Sequence, residues 1–149
     1  MCGRDTSGTL PRVDWDESLA QSFRGPRGHG LIWRPAPGVL VTRLVGRADL
    51  AAVAFYQSIV EPLFDQGVRV AVFHDWSRMT AYDAEARDKL LRLASDKRAQ
   101  YEVVHYLLTS KLVAVVISIA ALTLRRPLVT HTKLETFSAA LEERLARAV

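Results

Sequence analysis

The chain has 149 residues, of which 49% are hydrophobic and 24% charged, and 20 Lys and Arg against 16 Asp and Glu give a formal charge of +4. This composition excludes a chain that is disordered throughout, and the length is enough to bury one hydrophobic core without disulfides or metal. The positive excess is spread almost evenly along the chain, whereas nucleic-acid binding needs a basic patch or stripe. We therefore expect no nucleic-acid partner.

Cysteine content and apolar runs indicate a cytoplasmic protein without a membrane span. Cys2 is the only cysteine, so no intramolecular disulfide and no cysteine-based zinc site can form. The first residues are polar and acidic and contain no apolar run, which is unlike a secretory signal. The longest apolar stretch, residues 112–124, has 13 residues, whereas a helix needs about 20 to cross a bilayer.

Glycine and proline are concentrated in the first 38 residues, and no glycine follows Gly67. This distribution places a boundary near residue 30. Residues 1–30 are predicted to form an N-terminal tail, either loosely ordered or with one short helix from Asp14 that presents Phe23. Residues 31–149 are predicted to form one globular domain.

Short β-rich runs alternate with helical runs in this domain. Residues 31–34 and 39–45 are predicted strands, and a helix capped by Asp49 extends to Gly67. Residues 68–74 form the next predicted strand. Its apolar residues at every position from 70 to 73 indicate burial on both faces, as in the centre of a parallel sheet.

The second half of the domain repeats this alternation. Asp83 is the predicted cap of the second helix, which is followed by a strand over residues 101–109 and an apolar helix over residues 110–124. A short strand, residues 128–130, precedes a last helix that opens with a capping box from Thr132 to Glu135. This order predicts an α/β fold: a single mixed, mostly parallel sheet of about five strands with four helices.

Polar residues at the predicted carboxyl ends of the strands allow an enzymatic interpretation. Asp75 with Lys111 would suit a receiver-like phosphoacceptor or a hydrolytic enzyme. Receiver chemistry also needs an acidic pair to hold Mg²⁺, and the preceding strand end supplies only Asp49. Nucleotide-binding glycine motifs and nucleophile elbows are absent, and the four histidines have no paired spacing. We therefore expect no metal site and no cofactor.

Residues 75–86 read Asp-Trp-Ser-Arg-Met-Thr-Ala-Tyr-Asp-Ala-Glu-Ala. This stretch resembles the signature of STAS (sulfate transporter and anti-sigma factor antagonist) domains: an Asp, an apolar residue and often Ser, then an apolar pair spaced three apart, then Asp-Ser-Ser-Gly opening a helix. The matching positions are Asp75, Ser77, Met79, Tyr82 and Asp83. The order of elements from about residue 31 onward is also similar to that family.

The resemblance implies a non-enzymatic regulatory or scaffolding domain that binds a protein partner through a loop and the start of the next helix. The loop would be oriented by Asp75 and Asp83. Trp76, Met79 and Tyr82 would either contact the partner or pack beneath the loop as core. The full predicted interaction segment comprises Asp75, Trp76, Ser77, Met79, Thr80, Tyr82, Asp83, Ala84 and Glu85.

The chain departs from the family at the helix start. In STAS domains a partner kinase phosphorylates serines at this position, and the added charge breaks binding. Here those two positions are Ala84 and Glu85, and the helix-opening glycine is Ala86. Alanine cannot be phosphorylated, so we predict that the phospho-switch is lost and that binding is constitutive.

The helix predicted after Lys111 is apolar on all sides, although a helix lying on a sheet needs only one apolar stripe. Its surplus apolar surface predicts a homodimer interface, or else burial beneath the N-terminal segment. The predicted interface residues are Leu112, Val113, Val116 and Ile117. A third interpretation is a small apolar pocket, since more distant relatives of similar fold bind lipids.

Overall fold

The computed structural model describes residues 20–109, 114, 117 and 128–148. In this part of the chain six strands form one sheet: β1 (Gln21–Arg24), β2 (Gly28–Ala36), β3 (Val39–Ala48), β4 (Val70–Tyr82), β5 (Tyr101–Leu107) and β6 (Leu128–His131). Three helices are described: α1 (Leu50–Asp65), α2 (Ala84–Asp96) and α3 (Leu134–Arg147). A 3₁₀ turn, Arg98–Gln100, precedes β5.

The strands lie side by side in chain order, from β1 to β6. The pairs β1–β2 and β2–β3 are antiparallel, and every later pair is parallel. This arrangement confirms the predicted α/β class and the single, mixed, mostly parallel sheet. The described sheet has six strands, one more than predicted.

The extra strand is β1, and it lies inside the predicted N-terminal tail. Phe23, assigned above to a short helix, is a strand residue paired with Gly30 of β2. The predicted boundary near residue 30 thus falls within β2. Two of the glycines that indicated a tail, Gly28 and Gly30, are strand residues of β2. A Cβ on Gly30 would lie 2.7 Å from the Arg43 carbonyl oxygen of β3, so glycine suits this close approach of the two strands. The rest of the predicted short helix, before residue 20, lies outside the described residues.

Helix starts agree only partly with their predicted caps. The Asp49 side chain caps α1 by accepting a hydrogen bond of 3.0 Å from the Ala52 backbone N–H, as predicted. The predicted capping box at Thr132 is wrong, because α3 begins at Leu134 and Lys133 at its N-cap position makes no side-chain cap bond. The helix predicted over residues 110–124 lies largely outside the described residues, although Ala114 and Ile117 are helical.

The two faces of the sheet carry separate hydrophobic clusters. Helices α1 and α2 pack on one face and α3 packs on the other. Along β4, Val70 and Val72 face α1 and α2, whereas Ala71 and Phe73 face α3. All four are buried, so the predicted burial of this strand on both faces is confirmed. Consecutive strand residues point to opposite faces, so an unbroken apolar run serves both cores.

Candidate functional site

The predicted interaction loop, residues 75–83, belongs to strand β4 in all but its last residue, so the prediction of a loop is wrong. Strand β4 extends through Tyr82, and β3 accompanies it in parallel, pairing Arg43 with Asp75 and Ala48 with Tyr82. Gly46, with a φ of 90°, lies where the register between the strands shifts, a backbone conformation that glycine adopts without strain. Because β3 supplies backbone hydrogen-bond partners, this segment continues the sheet and does not form a loop.

The side chains of this segment divide between two environments. Trp76, Met79 and Tyr82 line a partly open cavity to which α1 and α2 also contribute. Met79 is 5% exposed, so it packs beneath the segment as core, which is one of the two predicted alternatives. Trp76 and Tyr82 are half-buried, and Thr80 is exposed.

Asp75 is buried beneath this segment with 1% of its surface exposed. Its Oδ1 accepts hydrogen bonds from the Ser77 backbone N–H at 3.1 Å and from the Ser77 hydroxyl at 2.6 Å. The Arg43 Nε lies 3.9 Å from Oδ2. Burial raises the pKa of Asp75, while the hydrogen bonds from Ser77 and the charge of Arg43 act in the opposite direction. The carboxyl group therefore holds Ser77 in one orientation.

Asp83 joins three parts of the fold at the start of α2. It occupies the N-cap position, as predicted, but its side chain makes no cap hydrogen bond. Instead Oδ1 accepts from Arg47 Nε at 2.6 Å, and Oδ2 accepts from Arg27 Nη1 at 3.3 Å. Ala84 and Glu85 follow in the first turn, and both are exposed.

A cavity of about 130 Å³ lies between the sheet and helices α1 and α2. On its wall a hydrogen bond of 2.6 Å joins Thr42 Oγ1 to His74 Nδ1. Burial lowers the pKa of His74 to about 3, so its ring is neutral at physiological pH. No residue pattern in the sequence marked this site, although His74 and Trp76, two apart on one strand, share a face.

Most of the remaining predicted site residues lie outside the described part of the chain. This applies to Lys111 and to the predicted dimer residues Leu112, Val113 and Val116. Ile117 is described, is 5% exposed and packs with Met79 and Leu108 of its own chain.

Within residues 20–109, 114, 117 and 128–148, no three His, Cys, Asp or Glu side chains are grouped closely enough to hold a metal ion. No helix in this part is both long and apolar enough to cross a membrane.

Neither a protein-family model nor a curated protein sequence matches the chain. Solved structures do match it. The anti-sigma factor antagonist SpoIIAA in its unphosphorylated form superimposes with a TM-score of 0.59 at 17% identity, covering 79% of this chain and 97% of SpoIIAA. The domain has the STAS fold. The resemblance seen in residues 75–86 is therefore confirmed at the level of the fold.

Two other structures support the same STAS fold. Bacillus SpoIIAA in its phosphorylated form gives a TM-score of 0.55 at 17% identity, covering 73% of this chain and 96% of that one. An uncharacterized DUF3478 protein with a SpoIIAA-like fold from Shewanella loihica PV-4 gives 0.54 at 11% identity, covering 76% and 85%.

Proposed function

We propose that this STAS-like domain is a non-enzymatic, cytoplasmic regulatory domain that binds a protein partner through the end of β4 and the first turn of α2. We call this surface the β4–α2 edge, and its exposed members are Arg78, Thr80, Ala84 and Glu85. The observation that carries the proposal is that hydrogen bonds hold this edge in place: Asp75 accepts one from the Ser77 hydroxyl group, and Asp83 accepts one from Arg47. A surface that is already ordered loses little conformational entropy when a partner binds. The similarity to SpoIIAA, an anti-sigma factor antagonist, supports a regulatory role.

Binding at this edge is proposed to be constitutive. Ala84 has no hydroxyl group, and Glu85 places a permanent negative charge in the first turn of α2, where the helix dipole favours it. The Ser77 hydroxyl is already engaged with the Asp75 carboxyl group. Stoichiometric labelling of Ser77 or Thr80 by kinases of the native cell, with release of the partner, would contradict the proposal.

The partner should be lost when the charge of the edge is reversed. We expect Glu85→Arg and Thr80→Arg to reduce recovery of the partner at least about tenfold, because a misplaced charge at an interface costs more than about 1.4 kcal/mol. The measurement is quantitative affinity capture from the native organism, followed by titration of the purified partner.

Glu143→Arg is the matched control, since Glu143 is exposed on α3 at the opposite face of the sheet. A partner that binds the wild type and the control but not the edge variants supports the proposal. Equal binding to all four proteins would place the interface elsewhere.

A homodimer is proposed as well, and the apolar run at Leu112, Val113 and Val116 supports it. In sedimentation experiments the full chain should form a dimer that Val116→Asp dissociates. Strictly monomeric behaviour up to about 1 mM, a concentration at which weak pairs form, would exclude the dimer.

The alternative, a phosphoacceptor or hydrolase using Asp75 and Lys111, is disfavoured by the burial of Asp75. Its carboxyl group is bonded to Ser77 instead of facing a substrate. We therefore expect acetyl phosphate with Mg²⁺ to leave the mass of the protein unchanged. A stable mass increase that disappears in Asp75→Asn would overturn the non-enzymatic proposal.

A further inference from the structure

The cavity beneath the β4–α2 edge is lined by residues of several elements. Phe55 from α1 and Leu91 from α2 form part of its wall, and Phe23 from β1 stacks on Phe55 with ring centroids 5.6 Å apart. Met79 of β4 and Ile117 also line the cavity. The sheet and both helices therefore contribute to the cavity, which is partly open to solvent.

Its volume limits the size of a ligand. A dry cavity of about 150 Å³ lined by apolar side chains holds one benzene molecule. At about 130 Å³ the present cavity accommodates a single six-membered ring. A long acyl chain exceeds this volume, so most of it would have to extend out of the cavity into solvent.

The lining also indicates the kind of ligand. Three aromatic rings surround His74: the ring centroids of Tyr56, Trp76 and Tyr106 lie 5.4, 5.0 and 5.0 Å from its own. Such rings pack best against another ring, face to face with an offset or edge to face. A hydroxyl group at this point can join the hydrogen-bonded pair of Thr42 and His74.

The charges near the cavity disfavour an ionised ligand. Two arginines lie among its described lining residues, and each is beside an aspartate. Arg43 Nε lies 3.9 Å from Asp75, and Arg87 Nη2 lies 3.1 Å from Asp88. A ligand carboxylate would have to compete with Asp75 and Asp88 for these arginines, and it would lose its hydration on entry.

We propose that this cavity binds a neutral molecule with one aromatic ring and one hydroxyl group, a phenol, whose hydroxyl hydrogen-bonds with Thr42 and His74. This is a small-molecule site separate from the β4–α2 edge. It adds ligand binding to the proposed interaction role and does not depend on it.

The test is an NMR titration of the full-length protein with phenol, toluene and decanoate. We expect saturable shifts with phenol at or below about 1 mM, since seven non-hydrogen atoms suffice for such an affinity. Thr42→Val should weaken phenol at least about fivefold and leave toluene unchanged, because only phenol bonds to the removed hydroxyl.

Two alanines of α1 provide a matched pair of variants. Ala52 lines the cavity, whereas Ala54 is exposed. Ala52→Leu should fill the cavity and weaken phenol at least about tenfold without lowering the thermal midpoint. Ala54→Leu should change the affinity less than about twofold.

Three outcomes would overturn the proposal. The first is no saturable shift with phenol up to about 10 mM, well above the affinity expected for so small a ligand. The second is phenol binding that is equal in Ala52→Leu and Ala54→Leu. The third is decanoate that binds more tightly than phenol and displaces it, which would indicate an acyl-chain site. If Ala52→Leu does not fold, the Thr42→Val comparison decides.

Discussion

Replacing Phe73 with alanine should lower the free energy of unfolding by about 3–5 kcal/mol. Phe73 is fully buried at the centre of β4. Its ring stacks on His105 with centroids 4.6 Å apart and an interplanar angle of 4°, and it meets Phe137 of α3 edge to face at 5.9 Å. The substitution removes both contacts and leaves a cavity between the sheet and α3, because a β-sheet core collapses only partially.

The measurement is urea-induced unfolding followed by circular dichroism, with Val129→Ala as control. Val129 lies on the edge strand β6 and is 38% exposed, so its truncation should cost less than about 0.5 kcal/mol. If Phe73→Ala does not fold, Phe73→Leu should fold with a smaller loss of about 1 kcal/mol. A cost for Phe73→Ala no greater than that for Val129→Ala would show that Phe73 is not part of the buried core.

Acidification should destabilise the domain through His74. Its pKa is about 3 in the folded state because burial disfavours the charged ring, against about 6.5 in the unfolded chain. The unfolded state therefore binds one more proton between these values, and stability falls as the pH drops from about 6.5. At about 1.4 kcal/mol per pH unit, the loss from His74 reaches about 3 kcal/mol by pH 4.

Variants separate this contribution from other titrations. The slope of unfolding free energy against pH reports how many more protons the unfolded state binds than the folded state. Between about pH 6.5 and 4, this number should be smaller by about one in His74→Gln than in the wild type. Ser58→Ala should keep the wild-type slope, because Ser58 is exposed and has no group that titrates in this range. Asp75 acts in the opposite sense: its raised pKa favours the folded state at low pH. An unchanged slope in His74→Gln would show that His74 is not the neutral, buried group described here.

His105 should add to the acid sensitivity in the same direction. Burial and the neighbouring His131 lower the pKa of His105 to about 4. Its Nδ1 lies 2.9 Å from His131 Nε2, so a single proton can be shared, whereas two positive rings would repel. Some pH dependence is therefore expected to remain in His74→Gln.

Much of the fold follows from local sequence patterns. The unbroken apolar run at residues 70–73 indicates a central parallel strand, and Asp49 marks the start of α1 through its cap. The STAS resemblance likewise depends on contiguous residues, from Asp75 to Ala86. Patterns of this kind are readable because side-chain periodicity and capping involve residues close together in the chain.

Other features depend on contacts between residues far apart. The β3 backbone approaches Gly30 too closely to leave room for a Cβ atom. The Asp83 side chain makes no cap hydrogen bond to its own helix and accepts instead from Arg27 and Arg47. Long-range partners of this kind leave no local pattern in the sequence.

The sequence by itself determined the α/β class, the alternation of elements and the residues that resemble a STAS domain. Only the tertiary structure decided which side chains of the segment after Asp75 reach solvent, because β3 extends alongside β4 and turns the predicted loop into a strand. That pairing places Trp76 and Tyr82 in the wall of the cavity, where the Trp76 ring lies 5.0 Å from that of His74. A cavity is the space that packed elements fail to fill, so it is a property of their arrangement in three dimensions.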